Sequence, residues 1–254
     1  MTKYIKLPAP QLSQLKEVSI DLDMTGRHYA LLASCEGQLP EDVATSILND
    51  LMEQDAYKLT LAEVRYLFTL VKINSLENDY TVSLECPHKK ADGTECGCIN
   101  TYTVSLSDGE LHPTPSDYVP PTIEFNTKDG PRTFSVIPPS IKEESALYEY
   151  FLTQKDANQE KISEDKTLSF EFTFLRGILH LVESDGSRFK KETDFLGDML
   201  GLLDCNKFQT INKLYDLVIE VNQYGVQNKI YTMKCKECGG MLSFHLPLLS
   251  GLTE

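Results

Sequence analysis

The sequence predicts an α+β fold in which helical segments surround a split unit of two β-hairpins, each closed by a cysteine-rich turn, with one further β-hairpin elsewhere. Long stretches repeat apolar residues at helical spacing. Strand-like alternation flanks two cysteine clusters that stand more than a hundred residues apart. At 254 residues the chain is long enough to bury the cores of one or two domains.

Charge and hydropathy exclude several classes of function. The chain has 24 Lys and Arg residues against 38 Asp and Glu, for a net charge of −14. Nucleic acid would be repelled by this charge, so no nucleic-acid partner is expected. No apolar run reaches the roughly 18 to 20 residues of a membrane helix, and the first residues lack the apolar core of a secretory signal. We therefore expect synthesis in the cytoplasm and no membrane partner.

The patterns along the chain predict four regions: a divergent amino-terminal segment at 1–40; helices, the first cysteine turn and β-hairpins at 41–140; a helical region at 141–228 with a polar linker near 155–167; and a second cysteine turn at 229–254 that packs back on 79–106. The linker is inferred from KDANQEKISEDKT, which is polar enough to be a flexible surface connection. It is the best candidate for an internal boundary.

Helical spacing is clearest in EDVATSILNDLMEQD and in LTLAEVRYLFTLVKINS. The second segment repeats apolar residues three and four positions apart, at Leu61, Val64, Phe68 and Val71. This stripe needs a partner surface, which either the core or another subunit of an oligomer would provide. Further helices are predicted at 141–154 and in FTFLRGILHLVE, TDFLGDMLGLL and FQTINKLYDLVIEV.

Strand-like alternation occurs in NDYTVSLEC and NTYTVSL around the first cysteine cluster, and in NKIYTMKC and MLSFHLPL around the second. A separate hairpin is predicted in TIEFNTKDGPRTFSVIPPS, where a Lys-Asp-Gly-Pro turn signal divides two apolar runs. The proline-rich stretch LHPTPSDYVPP before this hairpin is predicted to be a loop.

Five of the seven cysteines fall in the two clusters, and the remaining two, Cys35 and Cys205, stand apart. In a chain without an export signal, clustered cysteines indicate metal binding before disulfides. Zinc prefers four tetrahedral ligands, and a tight turn with a glycine just after its second cysteine supplies two thiolates. The two turns are therefore predicted to face one another as a zinc ribbon with structural zinc.

The predicted zinc ligands are Cys86, Cys96, Cys235 and Cys238. Cys235-Lys-Glu-Cys238-Gly239 has the required spacing, whereas extra residues separate Cys86 from Cys96. Cys98 and His88 are therefore the alternative ligands in place of Cys96. His245 is expected to pack on a strand.

Two alternatives to structural zinc stay open for the cysteines: reduced residues in ordinary turns, and the four thiolates of an iron–sulfur cluster. Catalytic zinc would need an open coordination position beside a general base, for which the sequence has no candidate. The sequence also lacks a glycine-rich phosphate loop, a Gly-x-Ser-x-Gly elbow and a His-Glu-x-x-His helix. No enzyme activity is therefore expected.

From about residue 55 to the carboxyl terminus the chain resembles the T4-like baseplate hub assembly proteins of tailed bacteriophages. The resemblance rests on the order and spacing of LTLAEVRYLFTLVKINS, YTVSLEC, IEFNTKDGPRTFSVIPPS and YTMKCKECGGMLSFHLPLLSGL. Two stretches between them, FLRGILHLVESDG and TDFLGDMLGLLDCNKFQTINKLYDLV, look like the paired helices of that family. The first 40 residues depart from the family pattern.

The resemblance implies a non-enzymatic protein that helps to build the baseplate hub, with hub proteins and the tape measure protein as partners in the host cytoplasm. An alternative is a permanent subunit of the baseplate or tail tip, present in the virion tail. An alternative of another class is a zinc-ribbon enzyme or nucleic-acid-binding module.

Overall fold

The computed structural model describes residues 2–34, 38, 40–75, 79–105, 110–187, 201, 206–227 and 230–245. The fold combines helices with small antiparallel sheets, so the predicted α+β class is confirmed. Among the residues that the structure describes, buried side chains form three clusters, two of them mainly aliphatic and aromatic and the third built around cysteines.

The described part of the amino-terminal lobe comprises β1 (Thr2–Lys6), β2 (Glu17–Asp21), α1 (Gly26–Ala33), α2 (Pro40–Leu51) and α3 (Leu61–Ser75). Strands β1 and β2 pair antiparallel, and a short 3-10 helix at Ala56–Lys58 precedes α3. On α3, Val64, Phe68 and Val71 are fully buried in the core of this lobe. The apolar stripe predicted from the sequence therefore packs inside the chain.

The described residues in the middle of the chain form β3 (Asp79–Glu85), β4 (Ile99–Ser105), β5 (Glu110–His112), β6 (Thr122–Thr127) and β7 (Gly130–Val136). Strands β3 and β4 form the hairpin that carries the first cysteine cluster, and β6 and β7 form the second predicted hairpin. The loop predicted in the proline-rich stretch begins with β5, so that prediction was wrong for its first residues.

The helical lobe follows with α4 (Ile141–Gln154), α5 (Gln159–Glu164), α6 (Lys166–Ile178), the two-residue strand β8 (Leu181–Val182) and α7 (Phe208–Val221). Its core contains the buried rings of Phe125, Phe134, Phe151 and Phe174. Strand β8 pairs with β7. None of the described helices is both long and apolar enough to span a membrane.

The chain closes with β9 (Gly225–Gln227), β10 (Ile230–Lys234) and β11 (Met241–His245). Strand β9 pairs antiparallel with β5, and β10 pairs with β11 to form the hairpin that carries the second cysteine cluster. The β5–β9 pair thus brings the segment that follows the first cysteine hairpin beside the segment that precedes the second.

Three further sequence predictions are corrected by the structure or fall outside the residues that it describes. The segment 155–167 contains α5, and it buries Ala157 and Ile162 against the helical core, so its middle is not a free connection. The helix predicted in FTFLRGILHLVE ends at Ile178, because Leu181 and Val182 pair with β7. The helix predicted in TDFLGDMLGLL lies, except for Gly201, outside the described residues.

The starts of α3 and α4 lie together and join the two lobes. Each start has a reciprocal capping pair, because the N–H of Thr60 donates to Glu63 at 2.8 Å and the N–H of Ser140 donates to Glu143 at 2.6 Å. The N–H of Ile141 also donates to the carbonyl of Leu59 at 2.8 Å. Glu63 is only 2% exposed, and this burial raises its pKa to about 7.

Glu63→Gln is expected to change how stability depends on pH. Because the pKa of Glu63 rises from 4.5 to about 7 on folding, the folded chain binds more protons than the unfolded chain between these values. The parent should therefore lose stability as pH rises from about 4.5 to 7, by up to about 3 kcal/mol. Urea unfolding at pH 5 and pH 8 should show no such loss from this site in the variant. The same change of stability between pH 5 and pH 8 in both proteins would contradict the raised pKa of Glu63.

Gly225→Ala tests the close approach of β9 to α3. Gly225 has a φ of +100°, and an added Cβ would lie 2.6 Å from the Cβ of Ala62. Gly130→Ala is the matched control, because Gly130 has a φ of +112° and open space around its Cβ position. We expect Gly225→Ala to lower the free energy of unfolding by about 1 to 3 kcal/mol more than the control. An equal fall in the free energy of unfolding of both variants would mean that the contact of β9 with Ala62 does not limit the side chain at position 225.

Candidate metal centre

The two cysteine turns share one pattern of backbone hydrogen bonds. In the second turn, Cys235 donates its N–H to the carbonyl of Gly240 at 2.8 Å and accepts from the N–H of Gly239 at 3.0 Å. In the first turn, Cys86 donates to the carbonyl of Cys98 at 3.0 Å and accepts from the N–H of Gly97 at 3.3 Å. Both Gly97 and Gly239 have positive φ, which explains why glycine follows the second cysteine of each turn.

This correspondence identifies the equivalent positions in the two turns. Cys86 matches Cys235, and Gly97 matches Gly239. Cys96 therefore matches Cys238, which is the second thiol of its turn. Cys98 occupies the position of Gly240, where the second turn has no side chain.

The extra residues of the first turn form a small loop of their own. Lys89 and Glu95 form an isolated antiparallel bridge, and Lys90 donates its N–H to the carbonyl of Thr94 at 2.7 Å. The N–H of Cys96 then donates to the carbonyl of His88 at 2.8 Å. The insertion therefore leaves the turn after His88 and returns just before Cys96.

The fold brings the thiols of Cys86, Cys96, Cys235 and Cys238 into one group, in which all four sulfur atoms lie within 4.8 Å of one another. The Sγ atoms of Cys86 and Cys238 are 3.5 Å apart, and those of Cys96 and Cys235 are 3.8 Å apart. Cys86, Cys96 and Cys235 are buried, and Cys238 is half-buried. Four clustered thiols at these distances could hold a metal ion.

Aromatic side chains join the two hairpins along their length. The hydroxyl of Tyr102 donates to the carbonyl of Lys234 at 2.8 Å, and that of Tyr231 donates to the carbonyl of Ser105 at 3.2 Å. The ring of Phe244 stacks on both tyrosine rings, with centroids 6.3 Å from Tyr102 and 5.4 Å from Tyr231. The thiols thus lie at one end of an interface that continues along β4 and β10.

Asn100 connects the two turns directly and was not identified from the sequence. Its side chain is fully buried, and the amide nitrogen donates to the Sγ of Cys235 at 3.4 Å and to the carbonyl of Cys98 at 2.9 Å. The amide oxygen accepts from the N–H of Lys236 at 2.8 Å. The only local signal was a polar residue on the inward side of an alternating strand.

The environment of the four thiols is unequal. Backbone donation from Cys238, followed by donation from Glu237 and the Asn100 amide, lowers the pKa of Cys235 to about 5. Burial raises the pKa of Cys86 to about 12. A bound cation would supply positive charge that stabilises the thiolate forms of these cysteines.

The alternative ligands lie outside the group. His88 is exposed, its Nε2–H donates to the carbonyl of Met241 at 2.8 Å, and its ring fills the space beside Gly240. Cys98 directs its thiol to the carbonyl of Ile99 at 3.7 Å. His245 ends β11, the strand on which it was expected. Cys35 and Cys205 lie outside the described residues.

The chain thus combines an amino-terminal lobe, a helical lobe and two hairpins that meet at four clustered thiols. These features define a protein with a candidate structural metal centre. A family profile identifies it further: the chain belongs to the T4 bacteriophage base plate protein family, whose profile matches residues 13–247. The match extends into the first 40 residues, where the sequence motifs gave no resemblance. No curated protein and no solved structure matches the chain.

Asn100→Asp keeps the shape of the side chain and removes its N–H donor to Cys235. Loss of a group that orients a metal ligand commonly weakens binding about 10- to 100-fold, and we expect a loss of that size here. Thr101→Ala, at an exposed neighbouring position on β4, is the control. Competition with a chromophoric chelator measures the metal affinity of each variant. Equal affinities would show that Asn100 only supports the backbone.

Proposed function

We propose that this chain is a non-enzymatic bacteriophage tail protein that acts in assembly of the baseplate hub and transiently holds segments of hub and tape measure proteins. The family match over residues 13–247 carries the proposal, since it supports a role among the proteins of the phage baseplate. The net charge of −14 supports a transient contact with basic segments, which such a surface attracts at long range. The proposed site of action is the host cytoplasm during tail assembly.

We further propose that Cys86, Cys96, Cys235 and Cys238 bind one structural zinc ion. A tetrahedral ion with zinc–sulfur bonds of about 2.3 Å has sulfur–sulfur edges of about 3.8 Å. The Sγ distances of 3.5 and 3.8 Å between the cross-turn pairs agree with that edge. All four ligands are thiols, so no position stays open for a reacting water, and the proposed role is structural.

An iron–sulfur cluster fits these distances less well. In such a cluster the thiolates are divided over two or more iron atoms, and bridging sulfides lie between those atoms. Its four cysteine sulfurs must therefore surround several atoms, whereas the four sulfurs here lie within 4.8 Å of one another. Brown purified protein with stoichiometric sulfide would overturn the zinc assignment.

Cys235→Ser should remove the metal and separate the two hairpins. The remaining three thiols give a much weaker site, and metal analysis should find a large fall from about one ion per chain. Cys98→Ser is the matched control, because this neighbouring thiol lies outside the group and its loss should leave the metal in place. Nuclear magnetic resonance should show loss of β3, β4, β10 and β11 signals in the first variant only. Equal metal content in Cys235→Ser and the parent would reject Cys235 as a ligand.

The assembly role is tested by quantitative mass spectrometry of purified phage particles beside infected-cell lysate. An assembly factor should give abundant peptides in the lysate and none at fixed copy number in finished particles. A stoichiometric presence in particles would replace this proposal with that of a permanent baseplate or tail-tip subunit. The closed metal site favours that second candidate, since it would stabilise a small unit outside a cell.

A further inference from the structure

A cavity of about 320 Å³ lies between the two lobes, away from the cysteines. Its walls come from α2 and α3 on one side and from α4, α5 and α6 on the other. The apolar part of the lining is Leu61, Ile141, Leu147, Tyr148, Ile162 and Phe172. This volume is at the small end of ligand pockets, so it suits one or two side chains rather than a whole peptide.

The rim of the cavity carries two satisfied arginines. Arg65 pairs with Glu41 at 3.3 Å, and Arg176 pairs with both oxygens of Glu144 at 3.0 and 3.2 Å. Each arginine thus has a carboxylate that neutralises its charge. These two pairs leave the rim without an excess of positive charge.

Asp42 gives the same rim its excess of negative charge. Its carboxylate accepts a hydrogen bond from the hydroxyl of Ser145 at 3.2 Å, which carries no charge. Within the parts of the chain that the structure describes, no cation is found in an ion pair with Asp42. The surrounding helices add to the effect, since residues 141–178 hold eight acidic and five basic side chains.

We propose that this cavity binds the apolar anchor of a basic amphipathic helix from a partner protein, with a Lys or Arg one turn from the anchor paired to Asp42. A helix presents an apolar residue and a charged residue at such spacing on one face. The inference rests on the proposed function and assigns a binding site to the partner contact. An acidic helix would be repelled by Asp42 and the helices around it.

The probe is a synthetic amphipathic peptide of about 18 residues, or five helical turns, made of leucine and lysine. Its affinity for the full chain is measured by fluorescence anisotropy. A peptide in which glutamate replaces every lysine should bind at least about tenfold more weakly, which corresponds to about 1.4 kcal/mol. Equal binding of the two peptides would contradict the charge assignment.

Two pairs of variants separate the cavity from general attraction to an acidic protein. Ser145→Trp should fill the mouth of the cavity and lower the affinity for the lysine peptide about tenfold or more, as loss of an anchor does. Ala146→Trp, on the exposed side of the same helix, should have no effect. Asp42→Asn should weaken binding about two- to fivefold, as for a partly exposed ion pair. Asp216→Asn makes the same change of charge at an exposed position of α7 and should leave the affinity for the peptide unchanged.

The outcomes for the cavity and for the proposed function are distinguishable. If Ser145→Trp binds the peptide as the parent does, the cavity inference is wrong, whatever the mass spectrometry finds. If the peptide result holds but the protein is stoichiometric in finished particles, the cavity stands and the transient assembly role is wrong. Complementation of a phage lacking this protein adds a direct readout, because Ser145→Trp should fail and Ala146→Trp should succeed.

Discussion

The joining of the two cysteine hairpins depends on a very small set of buried side chains. In the described residues their shared cluster buries Cys86, Cys96, Cys235 and Leu242, and Asn100, Val104 and Tyr231 are also buried on these strands. The two remaining clusters bury many aliphatic and aromatic side chains. So little apolar burial does not offset the conformational entropy of four ordered strands. A metal ion bound by the thiols would supply the missing free energy, which is on the order of 10 kcal/mol for structural zinc in small modules.

The same contact closes the chain over a long distance. More than 130 residues separate Cys98 from Cys235, and bringing such distant segments together has an entropic cost that contacts between the hairpins must offset. The β5–β9 pair and the close approach of Gly225 to Ala62 place the second hairpin near the first. Asn100 and the two tyrosine hydroxyls then fix the register, so that the four sulfurs meet at one end.

The cysteine turns, the hairpins and helix α3 could be predicted from the sequence, because short stretches of neighbouring residues determine them. Each cysteine turn has its glycine, each hairpin alternates, and α3 has apolar residues at helical spacing. The position of Cys96 in the thiol group, with Cys98 beside it, could not be predicted from the sequence, because it depends on how the insertion leaves at His88 and returns at Cys96. The cavity between the lobes was also beyond the sequence, since its walls come from five helices.

Elements with few residues or distant partners were missed for physical reasons. Strands β5, β8 and β9 have two or three residues each, so they exist only through pairing with remote strands and show no period of their own. Helix α5 is polar on most of its surface, and Ile162 alone gives it an anchor in the core. The role of Asn100 depends on a sulfur atom 135 positions away, which no local pattern records.

The four thiols of the two turns are proposed to bind one tetrahedral ion. The most direct measurement is a titration of the metal-free chain with Co²⁺, followed by visible absorption. Tetrahedral thiolate coordination gives intense ligand-field and sulfur-to-cobalt bands, which should rise to saturation at one equivalent and disappear when Zn²⁺ is added. Weak bands of octahedral cobalt, or a spectrum unchanged by Zn²⁺, would show that the thiols do not form the proposed site.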